Sequence, residues 1–423
     1  MSLNRSNLVF WLLGILMLLA PLFRSGKIPS ALLLLELLSL GILVALWWDG
    51  FDTGKLARTE IFAWSGLLIL PLLYLLPLPA FVTEFLPGRD DYILARVYAG
   101  SDSLGWHSLS LYPRETFSGW LVLLLPLAAY LGARSLETKQ LRSLLSLLFL
   151  ITIFQAVLGL IQFGAGPDSP FYLGLTHTHF GSAVGTYTSR NNYVGLLYMV
   201  LMVSLSIFIA TLGQHRRRVG NQTFRQRLVY LSTAKGHKAF LFAVFSLLLL
   251  LAIVFSRSRA GIGLTMLGVI LISLLFARRI GGRNVYGLTG TIAAVVLGFG
   301  ISIGLAPVLD RFSANDPLTD GRWTIFDGTF QGIAQFFPIG SGLATFRETF
   351  APFQDLSQAS FIINHAHNDY LEWVYDGGLL SALLILLFLL NYILRWPGLW
   401  KKGQWSEFRY IQIGAGIGML LML

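Results

Sequence analysis

The sequence predicts an all-helical, polytopic membrane protein with about 11–12 transmembrane helices. Three observations predict it. Hydrophobic residues make up 55% of the 423, and charged residues only 12%, about half the share in a soluble domain. Mean hydropathy is +0.67. Apolar stretches of about 20 residues, the length that crosses ~30 Å of hydrocarbon, recur along the whole chain. These figures exclude an ordinary soluble protein, a disordered chain and a coiled coil. Barrel strands would be ~10 residues long with a period of two, and that pattern is not seen.

The stretches at 7–23 and 28–48 open the chain. The first lacks a small-residue cleavage site and is followed by many more, so it reads as a retained helix rather than a signal peptide. Next come 60–79, 116–134, 141–164 and 191–212. Only a very short turn separates 239–256 from 261–277. The stretches 285–307, 372–395 and 408–423 complete the set. Leu241–Val254 and Leu379–Leu390 are apolar all round, as lipid-embedded helices are. The last stretch reaches Leu423 without a polar flank and reads as cut short. The whole chain, 1–423, reads as a single transmembrane domain.

The net charge of +10 would point to nucleic acid in a soluble protein. Here it fits cytoplasmic loops facing anionic membrane lipid, and no nucleic acid partner is expected. With the N-terminus cytoplasmic, inner segments hold 20 of the 31 basic residues. They include Arg216–Arg218, Arg225, Arg227, Lys235 and Lys238 in one loop, Arg278, Arg279 and Arg283 in another, and Arg395, Lys401 and Lys402 in a third. The short loop from Arg24 to Lys27 runs against the trend. This orientation leaves three large outer loops, 80–115, 164–190 and 308–367. The third carries Trp323, Phe326, Phe330, Phe336 and Phe337 at partly helical spacing, and is expected to lie along the membrane interface. A structureless loop of that length would be unusual, and a functional one is expected. There are no cysteines, hence no disulfides and no thiolate metal site.

The residues able to do chemistry gather at the outer ends of the spans. The run Ile363-Asn364-His365-Ala366-His367-Asn368-Asp369-Tyr370-Leu371-Glu372-Trp373 leads from the long loop into a span. Asn364 as N-cap would put His365 and His367 in the first turn. The helix dipole disfavours charged imidazole there, and a neutral histidine near pH 7 is what a general base needs. His365 and Asp369 stand i, i+4 and are expected to pair, unless Asp369 orients another partner. Interfacial polar decoration and a His-x-His-x-Asp metal site are the competing readings, the latter without further ligands in view.

The second feature is Ser256-Arg257-Ser258-Arg259-Ala260-Gly261, a turn between two strongly apolar spans. Arginine near the membrane is expensive and marks function by default. Snorkelling explains one such arginine more easily than two spaced by one residue. The guanidinium fork fits phosphate oxygens bidentately. Arg322, in Thr319-Asp320-Gly321-Arg322-Trp323, is a second phosphate-clamp candidate or an ordinary surface partner of Asp320. Gly185-Thr186-Tyr187-Thr188-Ser189-Arg190-Asn191-Asn192-Tyr193 opens another span, as a helix cap or as a set of hydrogen-bonding groups for a sugar. His177 and His179 are given no role. The chain has no P-loop, no GxGxxG, no GxSxG and no Asp-x-Asp motif, so nucleotide-sugar or ATP use has no support.

Taken in order, these pieces resemble the bacterial O-antigen ligase and polymerase superfamily. Gly185-Thr186-Tyr187 with Arg190-Asn191-Asn192 and Gly195, the Ser-Arg-x-Arg-Ala-Gly turn, and His365-Ala366-His367-Asn368-Asp369-Tyr370-Leu371-Glu372 carry the resemblance. It implies a GT-C-type helical fold in the bacterial inner membrane, with a periplasmic active site. It implies a glycan donor on undecaprenyl diphosphate, a sugar-hydroxyl acceptor, and no cofactor or metal. Arg259, Arg322 and His367 match the essential positions. Arg190, Asn191, Asn192, Arg257, His365, Asn368 and Asp369 are the implied substrate-binding set. A polymerase extends one glycan with another, whereas a ligase transfers the glycan to lipid A-core. The Arg-Asn-Asn and His-Ala-His-Asn-Asp-Tyr forms look closer to exopolysaccharide polymerases. A transporter of lipid-linked glycan would predict charge at the bilayer midplane and internal repeats, and neither is evident. A membrane scaffold would tolerate alanine at Arg257, Arg259 and His367.

Overall fold

The computed structural model describes residues 5–22, 28–48, 50–51, 54, 56–98, 105–172, 181–219, 233–280, 321–400 and 405–422. In chain order the elements are α1 (Arg5–Leu19), α2 (Pro29–Trp48), α3 (Arg58–Leu75), β1 (Pro77–Pro79), α4 (Ala80–Glu84), α5 (Asp90–Tyr98), β2 (Trp106–Ser108), α6 (Pro113–Val122), α7 (Leu124–Ser135), α8 (Thr138–Ala165), α9 (Arg190–Val219), α10 (Ala234–Phe255), α11 (Arg259–Ile280), α12 (Arg322–Phe336), α13 (Phe346–Thr349), α14 (Asp369–Leu399) and α15 (Glu407–Met422). The protein is an all-α polytopic membrane protein. Among the described residues eight helical stretches are long and apolar enough to span a bilayer, with α1 shorter. The expected span 285–307 lies outside the described residues, as do His177 and His179.

Two expected spans are shaped differently from the expectation. The stretch 60–79 ends as a helix at Leu75, because Pro77 and Pro79 cannot continue it. Those residues instead form β1, paired antiparallel with β2. The stretch 116–134 starts at Pro113 and is divided at Leu123 into α6 and α7. Pro126 has no N–H for the carbonyl of Val122, so the ladder is interrupted there. The outer segment 80–115 also holds α4 and α5 rather than loop alone.

The chain divides into two compact units. Unit one comprises Met1–Leu13, Glu36–Leu136 and Asn315–Trp400. Unit two comprises Gly14–Leu35, Glu137–Ala314 and Lys401–Leu423.

In unit two, α8, α10, α11 and α15 pack around α9. The α9 span is 83% buried, against 28–44% for the other spans of that unit, which makes it the central helix. Close approach needs small residues: a side chain at Gly261 or Gly268 of α11, or at Gly414 of α15, would run into Val194, Met202 or Ser206 of α9.

In unit one, α3 packs on α6 and α14, and α12 packs on α14. Glu60, 5% exposed, is held by Tyr130 and Arg395 and accepts the Ala57 N–H at 2.7 Å. α14 is broken at Gly378 (φ 54°). The break frees the carbonyls of Tyr375 and Asp376, and these accept the N–H groups of Ser341 and Gly342 at 3.2 and 2.8 Å. A side chain at Gly378 would collide with the Pro338 carbonyl, so this docking needs glycine. Arg89, 2% exposed, secures the same loop by donating to the carbonyls of Leu109 and Gly340 at 2.6 and 3.2 Å.

Candidate functional site

In unit two the arginine turn joins α10 to α11. Ser256 closes α10, donating to the Ile253 carbonyl at 2.6 Å and accepting the Ser258 N–H at 3.2 Å. Ser258 caps α11 by accepting the Gly261 N–H at 3.1 Å. Both serines are buried, while Arg257 and Arg259 between and after them are partly exposed. The alternation fastens the turn inward by its serines and turns its guanidinium groups outward. Arg257 has a left-handed backbone (φ 56°) and its guanidinium lies 5.5 Å from the centre of the Phe163 ring. That is cation–π range.

The Gly-Thr-Tyr and Arg-Asn-Asn residues belong to the same assembly. Ser258 Oγ donates to Asn191 Oδ1 at 2.7 Å, which ties the start of α9 to the cap of α11. The Ala183 N–H donates to the Phe255 carbonyl at 3.0 Å. Gln155 and Gln162, buried within α8, hold the segment before α9. Gln162 accepts from the N–H groups of Val184 and Gly185 and donates to the Gly185 carbonyl at 2.7 Å. Gln155 accepts the Thr186 N–H at 3.0 Å and donates to Thr186 Oγ1 at 2.8 Å. Asn191 and Asn192 are exposed, and Arg190 is partly so.

In unit one the histidine run precedes α14. Asn368 is the N-cap: its Oδ1 accepts the Leu371 N–H at 3.1 Å. Asn364 is therefore not the cap, and His365 and His367 stand before the helix rather than in its first turn. His365 acts electrostatically on Asp369, and its hydrogen bond goes to Glu372. His365 Nδ1 meets Glu372 Oε1 at 3.0 Å, and Glu372 Oε2 accepts the Ala366 N–H at 2.8 Å. One carboxylate in the first turn reaches back and holds the run at two points. Ala366 is fully buried, packed with Ile325, Phe336, Phe346, Phe350 and Tyr375. With Ala366 pinned and His367 left-handed (φ 55°), His365 and His367 are both exposed.

Arg322 opens α12 in the same unit. Gln358 ties down that helix start, donating to the Gly321 carbonyl at 2.8 Å and to Thr324 Oγ1 at 2.7 Å. Ile325, one turn after Arg322, shares the core cluster of Ala366. One small core therefore seats both the arginine helix and the histidine run. Of the loop aromatics, Phe336 is in that core, while Trp323, Phe330 and Phe337 are more than half or half exposed.

Arg190, Arg259 and Arg322 are each the first residue of a helix whose first turn carries no carboxylate. A cation there opposes the helix dipole, whereas an anion is favoured by it. Helix stability does not account for these arginines. A bound anion does.

The family model for O-antigen ligases matches residues 244–388. That match supports the O-antigen ligase and polymerase superfamily. The matched segment of that ligase family runs from within α10 into α14. It contains Arg257, Arg259, Arg322, His365, His367, Asn368 and Asp369. Arg190, Asn191 and Asn192 precede it. No curated protein matches the chain.

The sequence reading missed three groups that hold the ligase-family motifs in place. Glu372 was seen only as the end of a motif. Gln155 and Gln162 were passed over, although two glutamines seven residues apart on one face of an apolar helix are a legible signal. Ser258 reads as a spacer in sequence, but in the fold it is the cap and the link to Asn191. Among the described residues no group of three or more His, Asp or Glu side chains is placed to hold a metal ion.

Proposed function

We propose that this O-antigen ligase/polymerase-type protein is a metal-independent, inverting glycosyltransferase of the bacterial inner membrane. It moves a glycan from undecaprenyl diphosphate to a sugar hydroxyl on the periplasmic face. Two observations carry the reading: Arg190, Arg259 and Arg322 each open a helix whose first turn has no carboxylate, and the backbone of the histidine run is pinned.

Arg259 and Arg322 neutralise the diphosphate as its negative charge grows, with Arg257 and Arg190 in support. His367 accepts the proton of the attacking hydroxyl. The bond from the acceptor oxygen to the anomeric carbon forms as the bond from that carbon to the diphosphate oxygen breaks. The lipid diphosphate leaves with the electron pair, and a single displacement inverts the anomeric centre. Asn191, Asn192, His365, Asn368 and Asp369 bind the sugars. The acceptor is a second lipid-linked glycan, which makes the protein a polymerase of O-antigen or exopolysaccharide. Transfer to lipid A-core, ligase action, is the second reading, and the description of the matching family favours it.

Purified protein with a polyprenyl-diphosphate glycan and no added metal, offered each acceptor separately, tests this. Lengthened lipid-linked chains are expected, while modified lipid A-core makes the protein a ligase. A product with retained anomeric configuration, or full turnover by His367→Ala, overturns the mechanism.

A further inference from the structure

A cleft of about 350 Å³ opens in unit two among the first turns of α8, α10 and α15. Arg142, Lys238 and Glu407 supply its charge, and Phe149, Phe242 and Phe408 supply much of its apolar wall. Lys238 Nζ donates to both carboxylate oxygens of Glu407, at 2.7 and 2.6 Å, and both side chains are about two-fifths exposed. Arg142 is exposed. Lys238 lies near the start of α10, and the arginine turn follows the end of that helix. A 22-residue helix rises about 33 Å, a full bilayer core. The cleft is therefore at the membrane face remote from Arg257.

Two cations and one carboxylate leave the cleft net positive. A water-soluble phosphate ester has no use for aromatic walls, and an apolar chain alone has no use for Arg142 and Lys238. A molecule with a phosphate at one end and acyl chains at the other uses both. Basic pockets between spanning helices are where anionic lipid headgroups bind. We infer that this cleft holds one anionic phospholipid of the surrounding bilayer, its phosphate on Arg142 and Lys238 and its acyl chains along Phe149, Phe242 and Phe408. Glu407 takes Lys238 when the lipid is absent and competes with the phosphate when it is present. The site is separate from the transfer chemistry and does not depend on it.

The test uses the full chain in phosphatidylcholine nanodiscs, titrated with phosphatidylglycerol and read by native mass spectrometry. Lys238→Gln and Arg142→Gln should each lower phosphatidylglycerol retention at least tenfold, and Glu407→Gln should raise it several-fold. Phosphatidylcholine retention should not change. A purely structural ion pair predicts otherwise: Lys238→Gln and Glu407→Gln would lower thermal stability alike and leave lipid retention level, which overturns the inference. Inorganic phosphate displacing phosphatidylglycerol at millimolar concentration would assign the cleft to free phosphate and overturn it too. If Lys238→Gln fails to fold, Arg142→Gln decides the question, since Arg142 is exposed outside the Lys238–Glu407 pair.

Discussion

Glu372→Ala isolates the device that holds the histidine run. Glu372 accepts the N–H of Ala366, a fully buried residue, at 2.8 Å. A hydrogen bond to a charged acceptor contributes about 1.5–3 kcal/mol. The His365 contact adds less than about 1 kcal/mol, because that ring is 70% exposed and screened by water. The left-handed backbone at His367 costs about 1–2 kcal/mol and pulls the run toward relaxation once the anchor goes. The lost restraint is then about 2–3 kcal/mol, and at 1.36 kcal/mol per tenfold the transfer rate falls about 30- to 150-fold. The fall belongs in kcat with donor KM little changed, because Glu372 positions the run rather than binding the donor. Glu372→Gln keeps an acceptor oxygen for Ala366 and should lose less than about tenfold. A Glu372→Ala rate within about threefold of wild type refutes the reasoning. A Glu372→Gln loss equal to that of Glu372→Ala would also refute it, showing that charge at this position matters and the backbone anchor does not.

Four further outcomes are expected. Gln162→Leu strips the acceptor from Val184 and Gly185 and should destabilise by about 3 kcal/mol or more, read as a large fall in melting temperature; a wild-type melting curve would disprove the anchoring role. Ser258→Ala removes the cap of α11 and the tie to Asn191, worth about 1 kcal/mol for the cap alone, and should slow transfer along with a modest thermal loss. Arg257→Gly relieves a left-handed backbone worth about 1 kcal/mol and loses a cation–π contact worth about 0.5–1 kcal/mol, so stability should barely move while transfer falls; unchanged transfer would leave the phosphate to Arg259. Burial and the neighbouring Glu115 carboxylate raise the Glu348 pKa. The folded state then holds its proton more tightly than the unfolded chain, so stability declines as pH rises through the glutamate range. Glu348→Gln should be the more stable protein near neutral pH, with the advantage gone at about pH 4, and urea midpoints at the two pH values check it.

The membrane helices were legible because their signal is collective. Twenty apolar residues in a row outvote any single side chain, and ten of the eleven expected stretches carry described helices. Breaks inside those stretches were not legible, because they are set by tertiary partners. Gly377-Gly378 reads as two tolerated glycines, and only the carbonyl of Pro338 packed against Gly378 reveals why the helix opens there. The cap was misplaced for a related reason. Asn364 suits an N-cap by residue type, and the true cap at Asn368 goes with Glu372 reaching back six residues to Ala366. The buried Arg89 falls in a segment read as outer loop, where an arginine draws no attention until Leu109 and Gly340 present their carbonyls to it.

Backbone strain adds an independent argument for the same residues. Among the described residues, three that are not glycine have positive φ: Arg257, Ala344 and His367. Each costs about 1–2 kcal/mol that glycine would spare. Ala344 belongs to the loop docked on the break in α14, next to Gly342 and Thr345, whose contacts hold it. Arg257 and His367 are flanked by buried, hydrogen-bonded residues, Ser256 and Ser258 on one side of the comparison and Ala366 on the other. Their own side chains are partly or fully exposed. The fold therefore fixes the neighbours and leaves the strained residue's side chain out of the core. If these positions served only to turn the chain, glycine or asparagine would do so at lower energy. An arginine and a histidine are carried there in spite of the backbone, which supports the roles proposed for the guanidinium and the imidazole.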